Sequence, residues 1–265
     1  MPRLISIAAG VSPELAADPE AFIGAAADAG WPATGVWFDP DTWDDARTRR
    51  VADRLGSSGL AAVDMEVIRI GSDGDCGERL VDAAAEIGAR NILAISSLAD
   101  ADATAERLAQ LCQRAAPAGI RVCIEFMRFT EVGDLGDALD VAARTGEPNV
   151  GVLCDLLHVV RSGTTLDAIA AADHELFPYV QWCDAPAEPE GWSTRELVID
   201  ALDARSIPGE GQLPTAAFEA LFADEVPFSM EVRSRHLREA FPDPTERAAQ
   251  LLWGTRAALE QSAAE

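Results

Sequence analysis

The chain contains no lysine: all 21 of its basic residues are arginine. No lysine Schiff base can form, so lysine-dependent aldolase and pyridoxal phosphate chemistry are excluded. A Walker-type phosphate loop falls with them, because it needs its lysine. No G-x-G-x-x-G follows a first strand and no G-x-S-x-G occurs, so dinucleotide binding and serine hydrolysis lack their motifs. The five cysteines (76, 112, 123, 154 and 183) lie far apart, with no C-x-x-C and no Cys/His pair at zinc spacing. Cys123, Cys154 and Cys183 fall in predicted strands and read as small buried apolar residues of a reducing compartment. No run of eighteen apolar residues exists, so no membrane span is expected. The stretch Met1 to Gly10 lacks the apolar core and cleavage site of a signal peptide, and reads as a first strand of a cytoplasmic protein. Positive charge is scarce overall, 21 basic against 45 acidic residues for a net −24. That opposes a phosphate backbone and points to a small-molecule substrate rather than nucleic acid or membrane. A local arginine can still bind a small anion against the global field. The oligomeric state is left open, a homo-oligomer included.

What is present is a rhythm. Short β-type runs at 4–9, 34–38, 61–68, 91–95, 120–126, 150–155, 179–184 and 228–232 alternate with Ala/Leu-rich helical runs. The latter cover roughly 18–29, 42–57, 77–88, 102–117, 133–145, 165–172, 215–223 and 243–261. The segment Asp102 to Glu106 is expected to open one helix, and Gly88 to close another. Repeated β-then-α units predict a parallel sheet, and eight of them in about 250 residues predict a closed (β/α)8 TIM barrel. No linker-like shift in composition divides the chain, so residues 1–265 read as a single domain. Two stretches break the rhythm: 184–214, rich in Pro, Gly and Glu, and 233–244. Both are expected to be loops on the C-terminal face, where barrel active sites lie.

Four late strands end in oxygen-bearing side chains: Glu125, Asp155, Gln181 and Glu231. A buried carboxylate at a strand end needs a positive partner. Four such donors converging at one barrel mouth suit a hard divalent cation, Mn²⁺ or Mg²⁺. Strand alternation puts Cys123 with Glu125, Tyr179 with Gln181 and Cys183, and Ser229 with Glu231 on common faces, so all the donors can point inward in one register. Arg69 and Arg128, each just beyond a strand, are candidates for binding a substrate anion. Trp37 and Trp182 are candidates for an aromatic wall.

These segments carry a resemblance to the xylose isomerase-like TIM-barrel superfamily, which includes sugar isomerases and epimerases and is related to AP endonucleases and 3-dehydroshikimate dehydratases. The matching pieces are Ile124-Glu125-Phe126-Met127, Asp155-Leu156-Leu157-His158, Gln181-Trp182-Cys183-Asp184-Ala185-Pro186, Arg205-Ser206-Ile207-Pro208-Gly209-Glu210-Gly211 and Met230-Glu231-Val232. The resemblance covers essentially the whole chain. It implies one metal on Glu125, Asp155, Gln181 and Glu231, a substrate-facing His158, and a substrate-binding Arg205. The implied chemistry is proton abstraction beside a carbonyl, with Glu125 or Glu231 as base and an enediolate intermediate. The sugar epimerases more often carry His where Gln181 stands, whereas some dehydratases carry Gln. The sequence therefore reads first as a sugar isomerase or epimerase, with a dehydroshikimate-type dehydratase as the alternative, in which His158 serves as acid. A barrel that binds sugar without turnover would be expected to lack one of the two Glu ligands. A multi-metal phosphodiesterase would need more than three histidines and a less acidic chain.

Overall fold

The computed structural model describes residues 3–71 and 75–262. Eight parallel strands close into a barrel: β1 (Ile5–Ile7), β2 (Ala33–Trp37), β3 (Ala61–Ile70), β4 (Asn91–Ser96), β5 (Arg121–Glu125), β6 (Val150–Asp155), β7 (Val180–Trp182) and β8 (Phe228–Met230). Closure comes from β8 pairing with β1, Ser6 opposite Ser229. Around the barrel run α1 (Pro19–Asp28), α2 (Asp45–Ser58), α3 (Gly77–Ile87), α4 (Ala101–Ala115), α5 (Leu135–Thr145), α6 (Leu156–Ser162) and α7 (Leu166–Ala171). They continue with α8 (Thr194–Asp203), α9 (Thr215–Glu219), α10 (Arg235–Ala240) and α11 (Pro244–Ser262). Among the described residues no helix is long and apolar enough to cross a membrane.

Helix ends follow local chemistry. Gly88 closes α3 at φ 74°, a left-handed conformation that costs glycine no Cβ clash. The start of α4 lies earlier than expected: Asp100 caps it, accepting from the Asp102 and Ala103 amides. Two further corrections concern the stretches read as loops. Residues 184–214 contain α8, opened by a capping box between Ser193 and Glu196, and residues 233–244 contain α10, capped by Ser234.

Strand parity separates two cores. Outward residues such as Ile7, Ile68, Ile124, Val152 and Trp182 pack under the helices. Inward residues Ala33, Val63, Leu93, Cys123, Leu153 and Tyr179 fill the barrel itself. The buried thiols are pushed up, Cys112 and Cys183 to about 12, by loss of hydration, as expected for packing residues. Next along the inward faces of β5, β6 and β7 come Glu125, Asp155 and Gln181, each two residues beyond a filler. On β3 an extra residue breaks this parity. Ala62 pairs with Thr34 but Asp64 pairs with Gly35, so Val63 is inserted. That shift turns Asp64 and Glu66 inward, and a second one between Met65 and Ile68 returns Ile68 to the helix side. Glu66 thereby comes level with Trp37, and both line the barrel mouth.

A candidate metal centre at the barrel mouth

Asp155 is at once the last residue of β6 and the N-cap of α6. One of its oxygens accepts from the Leu157 amide at 2.8 Å and the His158 amide at 3.4 Å. The other accepts from Arg205 Nη1 at 2.5 Å. The carboxylate is therefore fixed in orientation, and His158, one turn into α6, is carried to the same spot. Ligand atoms of Glu125, Asp155 and His158 all lie within 4.8 Å of one another. The Gln181 amide meets Glu125 Oε1 at 3.3 Å and Asp155 Oδ2 at 3.0 Å. With its nitrogen turned inward it donates to both carboxylates. With its carbonyl turned inward three oxygens converge, an arrangement that a bound cation or a proton on one of the carboxyls compensates.

Glu231 lies just past β8 and is buried. Its Oε1 is 3.8 Å from Arg233 Nε, and its Oε2 has no hydrogen-bond partner among the described residues. It stands outside the three-residue set of Glu125, Asp155 and His158 but within their electrostatic field: burial raises its carboxyl, and Asp155 adds to the effect. Glu125 is pushed well above the usual carboxylate range by burial and then by Asp155. Two buried acids whose charges repel, an amide oxygen able to join them and an unpartnered carboxylate oxygen alongside form a donor set that fits a divalent cation.

Of the other expected site residues, Trp37, Arg69, His158 and Arg205 line a cavity of about 290 Å³ together with Glu125, Gln181 and Glu231. Arg205 faces the protein rather than the open space. Its four hydrogen bonds go to Ala201 O, Asp155, Cys183 Sγ and His158 Nε2. A guanidinium only donates, so His158 Nε2 accepts at 3.4 Å and the ring proton sits on Nδ1. Burial lowers His158 to about 4. That shift favours the neutral imidazole. Trp182 is not a wall residue: as the strand neighbour of Gln181 it points the other way, packing on Phe228 at 5.5 Å and donating to Thr215 O. Arg128 also lies outside the cavity lining, stacked over Trp192 at 5.0 Å.

Several residues of the site escaped the sequence reading. Asp64 and Glu66 are buried because the β3 bulge turns them inward, a shift that alternation cannot reveal. Burial, then Glu231, pushes Asp64 up to about 7. Gly10 is the floor beneath Glu231: a Cβ there would stand 2.6 Å from Oε1. Val198, Ala201 and Leu202 of α8 wall the cavity. That wall is pinned by Arg161, which pairs with Asp200 at 2.8 Å and donates to the Pro186 and Ala187 carbonyls.

The closed (β/α)8 barrel carries buried carboxylates at the C-terminal ends of its strands, and Glu125, Asp155 and His158 stand close enough together to hold a metal ion. The family model for the xylose isomerase-like TIM barrel matches residues 23–256, and the chain belongs to that family. A 3-dehydroshikimate dehydratase of Pseudomonas aeruginosa is 30% identical over 163 residues, 57% of this chain but 24% of that protein. Among solved structures, the IOLI protein with a bound zinc atom superposes with a TM-score of 0.77 at 12% identity, covering 99% of this chain and 98% of its own. The D-allulose 3-epimerase from Methylomonas sp., in complex with D-allulose, gives 0.69 at 17% identity, covering 97% and 98%. At these identities the two structures show a shared fold only.

Proposed function

We propose that this chain is a divalent-metal-dependent lyase that removes water from a cyclic β-hydroxy carbonyl acid of the 3-dehydroshikimate type. The observation that carries this reading is Gln181, a neutral amide within 3.3 Å of the Glu125 carboxylate and 3.0 Å of Asp155. Support comes from the similarity to a 3-dehydroshikimate dehydratase. Glu125, Asp155, Gln181 and Glu231 would hold the cation, Mn²⁺ or Mg²⁺. When bound, it polarises the substrate carbonyl and stabilises negative charge on that oxygen.

The residues of the chain do the rest. Glu125 or Glu231 takes the proton from the carbon beside the carbonyl. The C–H electron pair forms the new double bond while the C–O bond of the β-hydroxyl breaks. The departing hydroxyl needs a proton, and the carboxyl that has just accepted one returns it, so water leaves and atoms balance. His158, neutral and fixed by Arg205, hydrogen-bonds that hydroxyl and orients it. Arg205 holds Asp155 and His158 in place. The walls from α8 exclude solvent.

Starting from 3-dehydroshikimate, this loss of one water and enolisation give 3,4-dihydroxybenzoate, whose ultraviolet absorbance reports turnover directly. A sugar isomerase or epimerase would share the first step but return the proton to carbon. In D₂O it would place deuterium in a product of unchanged formula. Exchange on a ketose with no aromatic product from 3-dehydroshikimate would reverse the assignment.

A further inference from the structure

Resting on the lyase reading of this site, we propose that Arg233 binds the substrate's carboxylate and makes the cavity selective for a small cyclic monocarboxylate over a neutral polyol. Three arginines line the cavity: Arg69, Arg205 and Arg233. Arg205 is committed to Asp155, Cys183, His158 and Ala201. Buried arginines elsewhere are equally committed: Arg161 bonds Asp200 and two carbonyls, and Arg247 bonds Glu14, Ser12 and three carbonyls. Arg233 differs. Its side chain is only 21% exposed, yet among the described residues it donates no hydrogen bond, and its one ionic contact is the 3.8 Å approach of Nε to Glu231.

Its position is nevertheless set. A Cβ at Gly10 would stand 3.0 Å from its Nε and 3.1 Å from its Cδ, so the bare glycine is what lets the arm lie there. Its guanidinium carbon is 5.8 Å from the Trp37 ring centre, a flat wall alongside. Arg69 stands in its field as a like charge, with Glu66 near both. Of the four donors, Glu125, Asp155 and Gln181 come from β5, β6 and β7 and Glu231 follows β8, whereas Trp37 and Arg69 come from β2 and β3 and Arg233 lies two residues beyond Glu231. A substrate carrying a carbonyl at one end and a carboxylate at the other spans the two sides. The Arg233 fork can then take the carboxylate through two parallel hydrogen bonds. A neutral ketose would leave those donors unmet.

Titration calorimetry with Mn²⁺-loaded protein tests this, using 3,4-dihydroxybenzoate and catechol, which differ by the carboxylate alone. The wild-type chain should bind the acid at least roughly tenfold more tightly than catechol, the scale of a charged hydrogen bond. Arg233→Met should abolish most of that preference, and Arg233→Lys should restore part of it, as a point charge without the fork. The metal-induced melting shift should persist in both variants, since a merely structural role beside Glu231 would weaken metal retention instead. The proposal is overturned if Arg233→Met keeps the preference, if it loses the metal shift, or if the wild type binds neither probe or prefers catechol. An Arg233-dependent preference without turnover of 3-dehydroshikimate would sink the lyase reading and leave this assignment. Turnover with an unchanged KM in Arg233→Met would do the reverse.

Discussion

At Gln181 the side-chain amide lies between Glu125 and Asp155, and with its nitrogen turned inward it donates to both. Gln181→Leu keeps the volume and removes the oxygen. It should shift the metal-dependent melting midpoint to at least roughly tenfold higher Mn²⁺ concentration. Glu125→Gln and Glu231→Gln remove a charge and a base together, so steady-state turnover should fall by roughly 10²–10⁴-fold in each. His158→Ala should reduce turnover with smaller loss of metal binding, because the ring is assigned to the substrate. Equal metal loss in His158→Ala and Glu231→Gln would show that assignment to be wrong. Asp64 offers a stability test. Its folded carboxyl is raised to about 7 from an ordinary 3.8, by burial and then by Glu231. A raised carboxylate contributes stability that is fully present below the unfolded value and is lost as pH rises through the folded one. Chelator-treated protein should therefore lose stability between about pH 4 and pH 7, and Asp64→Asn should flatten that part of the profile. A variant with the wild-type slope would exclude Asp64 as its source.

At the scale of elements, β7 and β8 are three residues each, yet they position Gln181 and Glu231. Their outward faces are held by an aromatic cluster: Trp182 on Phe228, Phe228 with Phe218 and Phe222, and Arg3 over Phe228 at 4.1 Å. Trp182→Ala should cost about 3–5 kcal/mol of stability, read by denaturant melts. A loss below about 1 kcal/mol would mean that these strands are fixed from the inside instead. The α8 wall hangs on the Arg161–Asp200 pair, both side chains nearly fully buried. Arg161→Met leaves Asp200 charged and unpaired, which should destabilise by about 3–5 kcal/mol, more than Asp200→Asn does. The sequence reading located every barrel strand because apolar runs bounded by turns are a strong local signal. It passed over α8 although Ser193-x-x-Glu196 is a capping box, because the surrounding Pro and Gly pointed to a loop. It could not see Asp64 and Glu66 turn inward, because a one-residue insertion in β3 is defined by the register of its partner and not by its own residues.

For the whole molecule, the barrel concentrates opposed charges that the composition averages away. The net charge is −24, yet the cavity gathers Arg69, Arg205 and Arg233 around buried acids. That Glu125, Asp155 and Gln181 share the inward face followed from the sequence because side chains alternate. Which arginine faces the protein and which faces the cavity did not, since Arg205 is claimed by Asp155 fifty residues away in the chain. In the proposed function this mouth binds a divalent cation and with it dehydrates a cyclic hydroxy acid. The most direct measurement is ultraviolet absorbance of 3-dehydroshikimate incubated with Mn²⁺-loaded protein, beside the same protein stripped by chelator. Rapid appearance of 3,4-dihydroxybenzoate is expected in the loaded sample, none in the stripped one, and recovery on adding Mn²⁺ back. Equal rates in both samples, or no aromatic product at any metal concentration, would contradict it.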